Sequence, residues 1–567
     1  MTGSPMPRSR IVCYAAACLL AAIAVAVLLA ACGSSSSSSS SSSSASAAQT
    51  GTPQRGGTLI VAFQNEPQTL DPAIDFEGNG WAIEHAIFGN LLNYSSGPGA
   101  AGTTIVADMA TEVPTVANGG ITNGGRTYIF HIRPGIKFAP PVNRECTAQD
   151  FVYSFQRMMS LPTAPAKGYY TGIVGLQAFL DGKAKTITGY KATGKYTLEV
   201  DLQKPIATFL NIMEMPFGAP VAKEWVAKWG KQVGRHPLGT GPYVSDHWTA
   251  SQDLLLNRNT NYTGTAGYVD AIQFDFSITP TTAVLKVQSG DADLLGNYIP
   301  PSSYPQLIVN PQWKSQVVAE PAIALDYLFF NMTVKPFNNL GVRQALSWAI
   351  DRAKLVKLLS GTGLPLNQIY PAGLPGHVAG PAGNFYGYDP AKAKSLLAAA
   401  GYPNGFSTTL YSHNVAPWPT VIQSIQYDLA QIGVKATIKL LDEPSYWTLI
   451  GKKGAVGIGL NDWWMDYPDP FDYIISLFSK SSAIDEGTNP SFWWDPKVET
   501  ALVNAQVMTD PAARLVKFQD IQSYIMSQAP GVPLYQETVT TLHSKRTGGI
   551  YLHPVWIFDF EHYWINK

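Results

Sequence analysis

Thr127-Tyr128-Ile129-Phe130-His131-Ile132-Arg133-Pro134-Gly135-Ile136-Lys137-Phe138 is followed closely by Thr147-Ala148-Gln149-Asp150-Phe151-Val152-Tyr153-Ser154-Phe155. Residues 127–132 alternate as a half-buried strand, Arg133-Pro134-Gly135 turns the chain, and residues 136–138 resume an extended run. Thr147 caps a helix with Asp150 in the third position, where its charge also opposes the helix dipole. Phe151, Val152, Phe155, Met158 and Met159 form the apolar stripe of that helix. Strand, turn and capped helix in this order point to a mixed α/β body.

The same grammar extends outward. Tyr196 to Leu202 alternates as a strand, and Gly56 to Ala62 reads as a short one. Asn65-Glu66-Pro67-Gln68-Thr69-Leu70-Asp71-Pro72 is held extended by its prolines. Trp81, Ile83, Ile87, Phe88, Leu91 and Leu92 recur with helical spacing as far as Tyr94. Downstream, Asp389-Pro390 opens a helix closed by Gly401 and Pro403, and a second helix carries Val421, Ile422, Ile425 and Leu429. That helix breaks at Gly433 and feeds the strand Val434 to Leu440, while Asp510-Pro511 starts a further helix.

With 567 residues, 46% of them hydrophobic, the chain is long enough for two or three lobes. A formal net charge of -1 gives no long-range field for nucleic acid or an anionic membrane face. Aromatic residues make up 11%, including 14 Trp and 27 Tyr, which suits ring-face recognition and large cores alike.

Arg8 and Arg10 precede the apolar run Ile11 to Ala31, in the order of an export signal. Leu29-Ala30-Ala31-Cys32 resembles a bacterial lipobox, which implies cleavage before Cys32 and a lipid on its sulfur. An uncleaved anchor is the alternative, because the run is long enough to span a bilayer. Ser34 to Ser44 is an unbroken serine tract that cannot build a core and is expected to act as a tether. Cys13 and Cys18 would leave with the signal, so Cys146 would stand alone, with no intramolecular disulfide possible and a buried inert thiol the expectation.

The densest chemistry lies in Asn461-Asp462-Trp463-Trp464-Met465-Asp466-Tyr467-Pro468-Asp469-Pro470-Phe471-Asp472, after the apolar run Ala455 to Leu460. That run reads as a buried strand delivering the segment to a strand end, where ligands collect. Two indoles, a phenol and four carboxylates frame a cationic head group beside an apolar body, or an aromatic loop packed on its own domain.

The strand-turn-helix stretch closely resembles the signature of family 5 extracytoplasmic solute-binding proteins, the peptide- and nickel-binding components of ABC importers. The likeness continues in order through Pro67 to Pro72, Pro237-Leu238-Gly239-Thr240-Gly241-Pro242-Tyr243 and Gly290-Asp291-Ala292-Asp293. It then runs through Leu328 to Asn331, Val342-Arg343-Gln344-Ala345-Leu346, Tyr388 to Ala393 and the 461–472 segment. The resemblance implies an α/β fold of the periplasmic-binding-protein type, a bilobal cleft built from three lobes with mixed sheets flanked by helices. After a signal at 1–31 and a tether at 32–55, it implies lobe I at 56–97, 215–325 and 531–567, lobe II at 98–214 and lobe III at 326–530. It also places on Asp466 the pairing with a ligand's ammonium, beside Trp463, Trp464 and Tyr467, and puts Asn65 and Glu66 on the lobe I side of the cleft.

One departure stands out. Dipeptide-binding relatives carry an arginine for the ligand carboxylate in the loop that here reads Tyr411-Ser412-His413-Asn414-Val415-Ala416-Pro417-Trp418, with neither Arg nor Lys. A short peptide held by both ends is therefore disfavoured, and His413 and Trp418 become candidate lining residues. Phe492-Trp493-Trp494 either walls the cleft or packs between helices.

There is no phosphate loop with a following Lys, no nucleophile elbow, and no paired Cys or close His pair for a metal, and the nine His are scattered. The spacing of Asp466 and Asp469 could imitate a glycosidase pair, but a sugar-binding cleft uses the same groups. The expectation is a receptor rather than an enzyme, without cofactor or metal, monomeric, and lipid-anchored through Cys32 to the outer face of a bacterial cell membrane. It would capture oligopeptides for a membrane permease. The alternatives are an oligosaccharide, amine or metal-chelate receptor, or a surface receptor or adhesin no longer coupled to transport.

Overall fold

The computed structural model describes residues 52–508 and 510–566. The export signal, Cys13, Cys18, Cys32 and the serine tract lie outside the described residues. Three sheets of four or more strands organise the rest.

The first sheet runs Leu294–Leu295, Thr58–Ala62, Ala271–Asp275, Asp253–Arg258 and Tyr243–Thr249 in spatial order. Its first three strands are parallel and the others pair antiparallel. Between Ala62 and Tyr243 the chain builds a second, antiparallel sheet in the order Ile121–Thr122, Thr127–His131, Thr197–Asp201, Tyr190–Gly194. The helix Ala148–Ser160 packs on it through Phe151, Phe155, Met158 and Met159, all buried. Its start is the expected capping box, with Thr147 N–H donating to Asp150 Oδ2 at 2.9 Å. Cys146 lies fully buried in this core, and burial pushes its thiol well up, leaving an unreactive side chain.

The third sheet has Val317–Pro321, Gly531–Leu542, Ala324–Phe330, Ile458–Trp464, Ser407–His413 and Lys435–Leu441 in order, with Gly363–Pro365 pairing on Gly531–Leu542. Helices Leu340–Ala349, Pro390–Ala399, Trp418–Gln431 and Pro511–Gln528 supply apolar faces to its core. The expected caps are present, Asp389 accepting from Lys392 N–H and Asp510 from Ala512 and Ala513 N–H. All seven residues of Ala324–Phe330 are buried. Ala324 belongs to the core of the first sheet, whereas Leu325 and Tyr327 to Phe330 belong to that of the third. Gly531–Leu542 crosses likewise, with Leu534 in one core and Val539 in the other, so the border expected at Gly531 falls at the start of a continuous strand.

Three local readings are corrected. The helix expected to reach Tyr94 is Gly78–Ile87, and Leu92–Tyr94 is a strand paired with Ile105–Ala107. The break follows from Gly89, where a Cβ would come within 2.9 Å of Thr240 Oγ1, and from Asn90, whose amide donates to the carbonyls of Met213, Glu214 and Met215. Residues 136–138 make only an isolated bridge, Lys137 to Glu145. The strand expected to end at Leu460 runs on to Trp464, so both indoles sit on the strand itself.

Candidate functional site

Strand Ile458–Trp464 lies between Ala324–Phe330, antiparallel to it, and Ser407–His413, parallel to it. Gly459 permits that position, since a Cβ there would meet Tyr446 Oη at 2.9 Å and Phe329 and Tyr411 O at 3.0 Å. Beyond the strand the chain turns into helix Pro470–Leu477. Asp469 caps it by accepting from Phe471 N–H at 2.8 Å, and is held in turn by both Arg514 guanidinium nitrogens at 2.6 and 2.8 Å. This carboxylate is therefore structural.

Asp466 and Asp472 are built as a pair. Asp472 is 1% exposed, and its Oδ2 accepts from Trp463 Nε1 at 2.9 Å and from Asp466 N–H at 3.2 Å. Tyr169 Oη donates to Asp466 Oδ2 at 2.6 Å from a segment about 300 residues earlier in the chain. Burial raises both carboxyls, and Asp472 also feels the Asp466 charge, which raises it well above the usual range. The shift is the larger at Asp472, whose Oδ2 receives the two N–H groups, and Tyr169 donates to Asp466 from the other side.

Asp462, Trp463, Trp464 and Asp466 line a cavity of about 500 Å³, faced across the gap by Glu77 and Trp81 and floored by Trp447. A second cavity of about 1090 Å³ takes in Asn65, Glu66, Tyr298 and Ala416. Glu77, Gly78 and Ile557 line both, so they form one continuous cleft. Tyr298 lies parallel to Trp464 at 6.5 Å and 8° where the chambers adjoin.

The expected site residues are distributed as follows. Trp463, Trp464 and Asp466 share the first chamber, and Asn65 and Glu66 lie in the second. Glu66 is ion-paired with Arg235 and accepts from Ser251 N–H at 2.7 Å, so its side chain is already engaged. Tyr467 is buried in the core of the second sheet, edge-on to Tyr169 at 6.5 Å, and lines neither chamber. His413 and Trp418 also line neither. They stack on each other at 4.0 Å behind Trp447, and the His413 ring accepts from Val415 N–H. Phe492 and Trp493 are buried and Trp494 carries Lys480 over its face, so this cluster packs away from the cleft.

Tyr169, Trp447 and Tyr298 carry no sequence signal that marks them, Trp81 reads in the sequence only as part of a helical apolar stripe, and Asp472 only as a local structural carboxylate. Asp472 was within the quoted segment, but its role depends on the helix turning it back under Asp466. Outside the cleft, His85, Asp559 and Glu561 bring ligand-type atoms within 4.8 Å of one another. His562 supplies the positive charge there, 2.9 Å from Asp559 and 3.6 Å from Glu561; against the cost of burial, Asp559 and then Glu561 raise it to about 9.

The arrangement suits enclosure of a ligand: it offers half-buried carboxylates, several indole faces and a long cleft. Comparison with known proteins agrees. Residues 104–485 match the family model described as bacterial extracellular solute-binding proteins, family 5 middle. Glutathione-binding protein GsiB of Escherichia coli O1:K1 is 30% identical over 511 residues, covering 89% of this chain and 93% of the relative. The ABC transporter-associated periplasmic binding protein DppA from Helicobacter pylori, in complex with peptide STSA, is 25% identical with a TM-score of 0.74, covering 91% of this chain and 99% of that one. Clavulanic acid biosynthesis oligopeptide binding protein 2 superposes with a TM-score of 0.82 at 22% identity, over 91% of this chain and 96% of that one. The fold is thus that of the periplasmic binding proteins, and the chain belongs to the bacterial extracellular solute-binding proteins of family 5.

Proposed function

We propose that this protein captures oligopeptides in the cleft and hands them to the permease of an ABC importer, anchored outside the cell membrane by a lipid on Cys32. The observation that carries the reading is the Asp466 carboxylate, half-buried against Tyr169 and Asp472 and open to a chamber walled by Trp463 and Trp464. Little water screens it, so an ammonium placed there is attracted more strongly than on an open surface. The relatives named for glutathione or peptide binding support the class of ligand.

Strands Ala324–Phe330 and Gly531–Leu542 are the crossing points about which two bodies would close over the ligand. Closure supplies affinity and tells the permease that the receptor is loaded, with no covalent step. In calorimetric titration with a synthetic peptide pool, Asp466→Ala is expected to lose about 2 to 4 kcal/mol of binding, the scale for removing one partner of a buried charge pair. Intrinsic tryptophan fluorescence in the same titration reports closure. Unchanged affinity in the variant removes Asp466 from the site.

A further inference from the structure

Among the described residues that line the two chambers there is no Lys, Arg or His, whereas Glu66, Glu77, Asp462 and Asp466 all contribute to the walls. Of these, Glu66 is neutralised by Arg235. The 411–418 loop, where a carboxylate-binding arginine was sought, reaches the cleft only through Ala416. A ligand carboxylate inside this cleft finds no charge to meet it.

A second group of acids lies along the sheet behind the first chamber. Asp462 and Asp326 stand directly opposite each other on antiparallel strands, so their side chains share one face, and Tyr535 stands opposite Asp326 on the next strand. Glu537 follows two residues along on that strand; its charge raises Asp326, and it is itself raised by burial and by the Asp462 charge. Asp326 is 3% exposed, and its Oδ2 meets no hydrogen-bond donor among the described residues. No cationic side chain acts on any of the three. Like charges directly opposite in a sheet are unfavourable, and Asp326, toward which Tyr535 and Trp418 donate, keeps one buried oxygen unpaired. Of the three, Asp462 reaches the cavity wall, beside the Trp464 and Tyr298 rings.

From this juxtaposition we infer that the cleft takes a solute whose enclosed part carries two cationic groups and no free carboxylate: one ammonium at Asp466, the second, an ammonium or guanidinium, at Asp462 in front of Asp326 and Glu537. This rests on the receptor reading above and narrows it. The indoles between the two anionic points cover the apolar body of the solute and add ring-face attraction for its cations. Glutathione, with two carboxylates and one ammonium, does not fit this charge pattern.

The test uses the full-length chain in detergent and three matched pools of synthetic tetrapeptides with randomised apolar positions. One carries a lysine and a C-terminal amide, the second has norleucine for lysine in the same amide, and the third has lysine with a free acid. Spermidine and glutathione are run alongside. The lysine amide pool should be retained at least tenfold better than either other pool, with glutathione not retained. Asp462→Asn should erase the lysine advantage, so that the lysine and norleucine amide pools are retained alike. Asp466→Asn should weaken both amide pools. Equal retention of the free-acid pool, or no lysine advantage in wild type, overturns the inference while the peptide reading stands. Spermidine retained with no peptide pool retained supports the charge pattern and removes the peptide reading. Retention of nothing overturns both.

Discussion

Asp466 and Asp472 show how two identical side chains acquire opposite duties from their surroundings. Asp472, sealed beneath Trp463, accepts the Trp463 indole N–H and the Asp466 backbone N–H, and burial with the Asp466 charge raises its carboxyl, so an amide at position 472 keeps the acceptor and has no charge to bury. Asp472→Asn is therefore expected to bind peptide within about threefold of wild type, whereas Asp472→Ala strands the Trp463 indole N–H and loses about 1 to 3 kcal/mol of stability. Calorimetry and denaturant melts check the two halves. Comparable damage in both variants would contradict this reading of Asp472 as an uncharged acceptor beneath Trp463.

Asp462 and Glu537 add a pH dependence with a definite sign. Burial, aided for Asp462 by the Glu443 charge and for Glu537 by the Asp462 charge, raises Asp462 to about 6 and Glu537 to about 7. Asp326, Tyr298, Tyr327, Tyr446 and Tyr535 are further titratable groups around them. Both carboxyls hold their protons more tightly folded than unfolded, so the stability they contribute at low pH is lost as pH rises through 6 to 7. Between pH 5 and 8 the melting temperature of ligand-free wild type should fall relative to that of Asp462→Asn. A constant difference across that range would contradict the assignment.

At the scale of elements, strand Ile458–Trp464 makes the site possible because Gly459 lets it lie against Tyr446 and Phe329. Gly459→Ala is expected to cost about 1 to 3 kcal/mol by overpacking, read from urea unfolding, and to weaken binding through displaced indoles. Elements of this kind were legible where local chemistry decides them: the Thr147 capping box, the Asp389-Pro390 and Asp510-Pro511 starts, and the alternating strands at 127 and 197. They were less legible where a distant contact decides. The helix ends at Ile87 because Asn90 binds carbonyls at 213–215, and apolar spacing alone carried it too far. The site followed the same division. Trp463, Trp464 and Asp466 were readable from one dense segment, but Tyr169 and Tyr298 reach it from other parts of the fold and leave no local signal. His413 and Trp418 looked like lining residues by loop position, and the structure spends them on packing behind Trp447.

For the whole molecule, the second sheet is an insertion into the first, and two antiparallel strands tie the first sheet's core to the third's. Tyr169 and Tyr467 then join the second sheet's core to the 461–472 segment. The central claim, that this cleft holds oligopeptides through Asp466, is tested most directly by native mass spectrometry of the full-length chain purified gently from cells grown in rich medium. The account predicts a ladder of adducts that fragment as peptides and disappear in Asp466→Ala. A single non-peptide adduct, or a peptide ladder that survives the substitution, would contradict it.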